Sequence, residues 1–276
     1  FEELAAHLAS YGLAIAIPDH PGSDREYLRG FFSGLYPENF APSEFVERPR
    51  DITALLDDLA RRNPSQFGDR LNLEQVGVLG YSFGGSTALS LGGATINVEY
   101  LEHDCRTQRA VINISLLYQC RALTLPDPSV SLRDERVKAL FLYVPFAKSL
   151  FGPNVSQVDI PVYWLAANED ILTPLVVEQL PTFAQLTTPE RYLAVSTGLP
   201  HARVTFDVLE RLTNGSRDWA TLRSLTQTYQ NTLSLAFFKT YVAQDATYRP
   251  YLQSTYAQQL APAPFRLSVV RSLPSP

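Results

Sequence analysis

The chain contains no methionine, only three lysines (Lys138, Lys148 and Lys239) and four histidines. Its net charge is -5 at pH 7 and it has no run of basic residues. It therefore lacks the positive footprint that a phosphate backbone requires, and nucleic acid is excluded as a partner class. The longest apolar stretches are strand-sized, well short of the roughly 20 residues that span a bilayer, so no transmembrane segment is expected. Neither C-x-x-C nor a cluster of histidines occurs; no metal site is expected, and nothing in the sequence asks for a cofactor. The two cysteines, Cys105 and Cys120, allow a single disulfide. They either close a short loop or stay as buried thiols, and pairing would fit a periplasmic or secreted setting. Phe1 opens inside an amphipathic helical pattern over residues 1–9. The expectation is of a longer polypeptide in which something comes before it.

What is present is enough apolar material for a full core. At 276 residues and 45% hydrophobic, such a chain buries about three quarters of its unfolded surface. The size fits one catalytic domain over residues 1–276 better than two. Strand-like runs at 13–18, 76–79, 137–144, 161–167 and 191–195 alternate with helical patterns. That alternation predicts an α/β fold, a mostly parallel sheet with helices on both faces. Helical spacing over 51–59, with Pro49 near its start, predicts a helix bridging the first two runs. Residues 94–136 break the alternation and hold both cysteines and the apolar run 111–118. They read as a helical cap insertion near the site, or as a surface excursion away from it. The tail after Ala261, with Pro262, Pro264, Pro274 and Pro276, reads as an extended or frayed end.

The chemistry concentrates at Gly80-Tyr81-Ser82-Phe83-Gly84-Gly85, directly behind the apolar run Val76-Gly77-Val78-Leu79. A G-x-S-x-G motif recurs by chance in roughly one chain in ten of this length. Its position between a buried strand and a helix start is what makes Ser82 a candidate nucleophile, exposed on a strained turn at the carboxyl edge of a sheet. A serine hydroxyl needs a base to take its proton. On such elbows the chain order is serine, acid, histidine. His7 and His20 precede Ser82, and His103 comes before any later strand that could supply the acid. His201, in the loop after the run Tyr192-Leu193-Ala194-Val195, remains, with a solvated loop histidine as the plainer alternative. The acid belongs in Asn168-Glu169-Asp170, at the end of the run 161–167. Asp170 is preferred, with adjacent Glu169 kept open because spacing cannot separate neighbours. Either would accept from the imidazole and stabilise its charged form.

With strand, elbow, acid loop and late histidine in this order, the chain resembles the α/β-hydrolase superfamily. Within it the likeness is to dienelactone-hydrolase-like and platelet-activating-factor acetylhydrolase-like serine esterases, and most to cyanobacterial-type predicted dienelactone hydrolases. Further residues that carry it are Ile17-Pro18-Asp19-His20-Pro21-Gly22-Ser23, Arg48 to Ile52, Gln119 to Ala122 and the late Phe237-Phe238-Lys239-Thr240-Tyr241. True dienelactone hydrolases use a cysteine nucleophile; Ser82 points to the serine-esterase branch. The His201 loop departs from the pattern, since Pro200 stands where such loops more often carry glycine.

The resemblance implies an α/β-hydrolase fold and a triad of Ser82, Asp170 and His201. It also implies an oxyanion hole using the Phe83 amide and a second donor from a His-Gly loop before Phe1. Loss of one such donor typically costs about 10²–10³ in turnover. A further strand is expected between 13–17 and 76–79, missing from the chain together with that loop. His20 and Tyr81 are candidate substrate contacts, with a structural role for His20 equally open. The function implied is hydrolysis of a small-molecule or lipid carboxylic ester through an acyl-enzyme. Phospholipase or lipase activity is the neighbouring reading, and a non-catalytic remnant or binding module is the reading from another class.

Overall fold

The run Val162–Ala167 is buried at all six of its positions, which a strand tolerates only when both faces of its sheet are covered. The computed structural model describes residues 2–107, 112–201 and 218–271. It places this strand (β3) at the centre of a five-stranded sheet of order β1-β2-β3-β4-β5. The others are β1 (Val76–Tyr81), β2 (Val137–Tyr143), β4 (Arg191–Ser196) and β5 (Leu267–Val270). β1 to β4 are parallel and β5 pairs antiparallel with β4. The result is a mostly parallel sheet wrapped by helices, an α/β architecture.

The period of two along each strand divides the core into two layers. Phe141, Tyr143, Tyr163, Leu165, Tyr192 and Ala194 face one side with Trp219, Tyr229 and Phe237. These last come from the long helix Trp219–Tyr241, and the helix Glu2–Ser10 adds Leu4 and Leu8. On the other side lie Leu140, Leu142, Trp164 and Leu193, covered by Phe45, Leu89, Leu91 and Leu101. Those side chains belong to the helices Glu44–Arg62, Phe83–Leu91 and Val98–Thr107.

Two expectations need correction. Residues 13–18 form no strand. Leu13 packs on the core, but Ile15 and Ile17 are exposed, at 39% and 56%. An apolar run becomes a strand only where a neighbour takes its amides and carbonyls, and among the described residues β1 pairs with β2 alone. The helix foreseen over 51–59 begins at Glu44, so Pro49 sits inside it rather than at its start. Of the two readings of the tail, extended or frayed, the extended one holds over Leu267–Val270, where Leu267 and Val269 bury against β4 while Ser268 and Val270 point out. The pairing continues past the strand ends, where Thr197 N donates to the Arg266 carbonyl at 2.9 Å and Arg266 N to Thr197 Oγ1 at 2.7 Å. Pro274 and Pro276 lie outside the described residues. Among the described residues no helix is long and apolar enough to cross a membrane.

The insertion foreseen over 94–136 contains the helices Val98–Thr107 and Ser115–Gln119 and a 3-10 turn, Cys120–Thr124; residues 108–111, Val111 among them, lie outside the described residues. Cys105 and Cys120 are joined in a disulfide across 15 residues. Below this bond lies a buried polar network. Glu178 accepts from Ala147 N at 2.6 Å, Lys148 N at 2.8 Å, Asn113 Nδ2 at 2.6 Å and Gln119 Nε2 at 3.1 Å. Gln119 Oε1 accepts in turn from Ser149 N and Leu150 N, and Asp104 pairs with Lys148 at 2.8 Å. The insertion is thus anchored by satisfied polar groups, each costly to unpair. Replacing both cysteines (Cys105→Ser with Cys120→Ser) should lower the unfolding free energy by about 3 kcal/mol, the chain-entropy value for a loop of this length. A urea titration measures it, and an unchanged midpoint would show that packing alone holds the insertion.

Candidate active site

All the chemistry-bearing residues read from the motif lie beyond the carboxyl ends of the parallel strands, where open α/β sheets bind ligands. Ser82 follows β1 and occupies φ 52°, ψ -117°, a region that residues with side chains rarely visit. The glycines around it show what the turn demands. A Cβ on Gly80 would lie 2.1 Å from the Gly84 carbonyl oxygen, and one on Gly85 2.5 Å from Pro145 Cβ. No side chain fits at either position, so the helix Phe83–Leu91 can begin directly against the strand. Ser82 N donates to the Tyr143 carbonyl at 2.9 Å, which ties the turn to β2. Just beyond that strand Val144 also has positive φ, 42°, an outlier for a β-branched residue. Phe83 is the first residue of its helix, where main-chain amides have no intrahelical partner.

His201 and Asp170 complete a hydrogen-bonded line. His201 Nε2 lies 2.8 Å from Ser82 Oγ, and His201 Nδ1 lies 2.7 Å from Asp170 Oδ2. His201 is 3% exposed and Asp170 4%. With Nδ1–H donating to the carboxylate, Nε2 is left as the acceptor facing the serine hydroxyl. The arrangement can deprotonate Ser82 as it attacks an electrophile and hold the imidazolium that results. Asp170 rather than its neighbour Glu169 carries the contact, because the end of β3 turns so that Glu169 N donates to the Leu199 carbonyl at 3.2 Å. Asn168 Oδ1 accepts from Gly198 N at 2.7 Å, and Gly198 sits at φ 81°. The left-handed glycine therefore stands two residues earlier than Pro200, the position that departs from the familiar pattern.

The remaining candidates take other places. The Tyr81 hydroxyl donates to the His201 carbonyl at 3.0 Å. Burial first, then the neighbouring Tyr143 and Asp170, pushes its phenol well above the ordinary range, so it stays a donor that holds the histidine loop. His20 Nδ1 meets Asp51 Oδ2 at 2.7 Å and has no hydrogen bond to the triad. It belongs to a polar group beside the elbow. In this group Ser23 Oγ donates to Glu44 at 2.6 Å, Arg48 donates to Ser23 Oγ at 3.1 Å, and the Arg48 guanidinium lies 4.7 Å above the Phe83 ring. Among the described residues no group of three or more His, Cys, Asp or Glu side chains is placed to hold a metal ion.

No family model matches the chain, and no curated protein matches it. Its site has to be read from geometry.

Thr173 is the functional candidate that the motif reading did not single out. Its hydroxyl donates to Asp170 Oδ2 at 2.6 Å, while Leu172 N and Thr173 N donate to Asp170 Oδ1 at 2.8 Å each. Gln179 Nε2 donates to the Thr173 carbonyl at 2.7 Å, and Trp164 Nε1 to Gln179 Oε1 at 3.1 Å. The carboxylate is therefore set by its own loop, and the loop by a side chain anchored under β3. The available signal was Asp170-Ile171-Leu172-Thr173 itself, an Asx-type turn ahead of Pro174. Thr173→Val keeps the shape and removes the donor, and should slow fluorophosphonate labelling of Ser82 about tenfold or more. Thr173→Ser should restore most of the rate. Equal loss in both variants would assign Thr173 a packing role only.

Burial, outweighing the hydrogen bond that His20 donates to Asp51, holds the His20 imidazole below its ordinary value of 6.5. Arg48 adds to the lowering, while the Asp51 and Asp19 charges oppose it. The unfolded chain then binds the proton more readily, so this contribution to stability is complete above pH 6.5 and fades as pH falls toward the folded value. Between about pH 7.5 and 5.5 the wild-type melting temperature should fall more steeply than that of His20→Asn. Parallel curves would remove His20 from the acid response.

Proposed function

We propose that the chain is a serine hydrolase of carboxylic esters with an α/β-hydrolase fold. The observation that carries this reading is the line Ser82–His201–Asp170, with contacts of 2.8 and 2.7 Å, set on a positive-φ serine between a strand and a helix. The likeness of the Gly80–Gly85 elbow and the late histidine loop to serine esterases supports it.

In this mechanism Ser82 Oγ attacks the ester carbonyl carbon while His201 Nε2 takes the hydroxyl proton. The carbonyl π electrons move onto oxygen, and the Phe83 amide donates to that oxyanion. Collapse of the tetrahedral adduct expels the alkoxide, which leaves as the alcohol after taking the proton from His201. Water then attacks the acyl-enzyme with His201 again as base, and carboxylic acid and free Ser82 result. Asp170 stays ionised throughout, orienting the ring and stabilising its cation.

Treatment with a fluorophosphonate followed by peptide mass spectrometry should find a phosphonylated Ser82. The adduct should be absent in Ser82→Ala and slowed by orders of magnitude in His201→Gln. A folded protein that takes no adduct would sink the hydrolase reading and favour a binding module. Phospholipid or triglyceride turnover under the same conditions would favour the lipase reading within the class.

A further inference from the structure

Phe83, whose amide directly follows the candidate nucleophile, has its side chain gripped on several sides. The rings of Phe40, Phe45 and Phe146 lie 4.6, 4.9 and 5.3 Å from its own. The Arg48 guanidinium lies 4.7 Å from the Phe83 ring centroid. Phe45 and Arg48 stand three residues apart on the helix Glu44–Arg62, so a single helix face supplies both.

Arg48 is placed for this ring more than for its hydrogen bonds. It donates through Nη1 to Ser23 Oγ at 3.1 Å, while its Nε is buried with no hydrogen-bond partner among the described residues. Its link to Glu44 runs through the same serine hydroxyl, which donates to Glu44 Oε2 at 2.6 Å. A buried donor left unpaired is destabilising, and here the face of an aromatic ring offsets it. Glu44 is fixed in turn, 2% exposed and so close to Gly22 that a Cβ there would lie 2.3 Å from Oε1. The guanidinium is therefore held by the loop carrying Gly22 and Ser23 as well as by its own helix.

The Ser82–Phe83 peptide is thus fixed from both sides. On one, Ser82 N donates to the Tyr143 carbonyl at 2.9 Å; on the other, the Phe83 ring is clamped. A peptide unit is planar, so holding the chain at each end of it leaves its N–H little freedom of direction. We propose that Arg48 is a positioning residue for the oxyanion donor: lying over the Phe83 ring, it keeps the Phe83 amide aimed at the carbonyl oxygen of the ester attacked by Ser82. The proposal rests on the ester-hydrolase reading and adds to it a residue outside the triad and its loops.

The test is the ratio of kcat/KM for p-nitrophenyl acetate to that for p-nitrophenyl thionoacetate. Sulfur is the weaker hydrogen-bond acceptor, so the oxygen ester depends on an aimed amide far more than the thionoester does, whereas damage to the triad or the fold slows both alike. Arg48→Met keeps the apolar stem and removes the cation. The ratio should fall about tenfold, part of the roughly 10²–10³ that an absent oxyanion donor costs, and Arg48→Lys, a cation that can still sit over the ring, should recover most of it. Phe83→Leu removes the ring from the other side of the contact and should lower the ratio by a similar factor, with Arg48→Met adding nothing in that background. A wild-type ratio in both Arg48→Met and Phe83→Leu, however far the two turnovers fall together, overturns the positioning role while leaving the serine hydrolase standing. If Ser82 takes the fluorophosphonate but the wild-type protein turns over neither ester, the proposal falls and the activated nucleophile stands. A folded protein that neither labels nor turns over an ester overturns both.

Discussion

The contact on which the site depends is between two stretches of backbone, Gly80 against the carbonyl of Gly84. Only a hydrogen at Gly80 permits this approach, and the approach brings the helix onto the strand end with Ser82 at the crest of the turn. The strain of the serine's positive φ, of order 1–3 kcal/mol, persists because the sheet on one side and the helix on the other over-determine it. The hydrogen bond from Ser82 N to the end of β2 belongs to the same constraint. Once the crest is placed, the loops beyond β3 and β4 have only to deliver an acid and a base to its open side.

Those loops are arranged by polar contacts more than by apolar ones. Asp170 receives two amides and a hydroxyl from its own turn before His201 is counted. The acid loop is in turn tied to the insertion, where Ser115 N donates to the Leu172 carbonyl at 2.9 Å and Glu178 gathers donors from both sides. Buried networks of this kind are exacting, because a single lost partner leaves the others desolvated and unpaired. They favour one arrangement of the loop over near alternatives, which is what a line of two short hydrogen bonds requires.

The strands were legible wherever a run of apolar residues was bounded by turn residues. Four of the five runs read this way, at 76–79, 137–144, 161–167 and 191–195, correspond to strands whose limits differ by a residue or two. The run at 13–18 looks the same in sequence, but hydrophobicity cannot announce whether a ladder partner is at hand. β5 went unread for the opposite reason: Leu-Ser-Val-Val is short, follows a proline-rich stretch, and earns its place through β4 alone. The serine, acid and histidine were legible because a strained elbow and its partners impose residue types and order. Thr173 and Gln179 were not, since their importance arises only when the chain has folded back under β3. Tyr81 showed its aromatic character in the sequence but not the direction of its hydroxyl.

The strand β5 has a topological consequence for the histidine. With Thr197 and Arg266 clasped to each other, the residues shortly before His201 and directly before β5 are held at the same edge of the sheet. Between the clasped ends in sequence lies the helix Trp219–Tyr241, which buries Trp219, Tyr229 and Phe237 against the sheet. The base of the histidine loop is therefore tied to a core helix as well as to a strand, and a change in the packing of that helix reaches the register of His201 with Ser82.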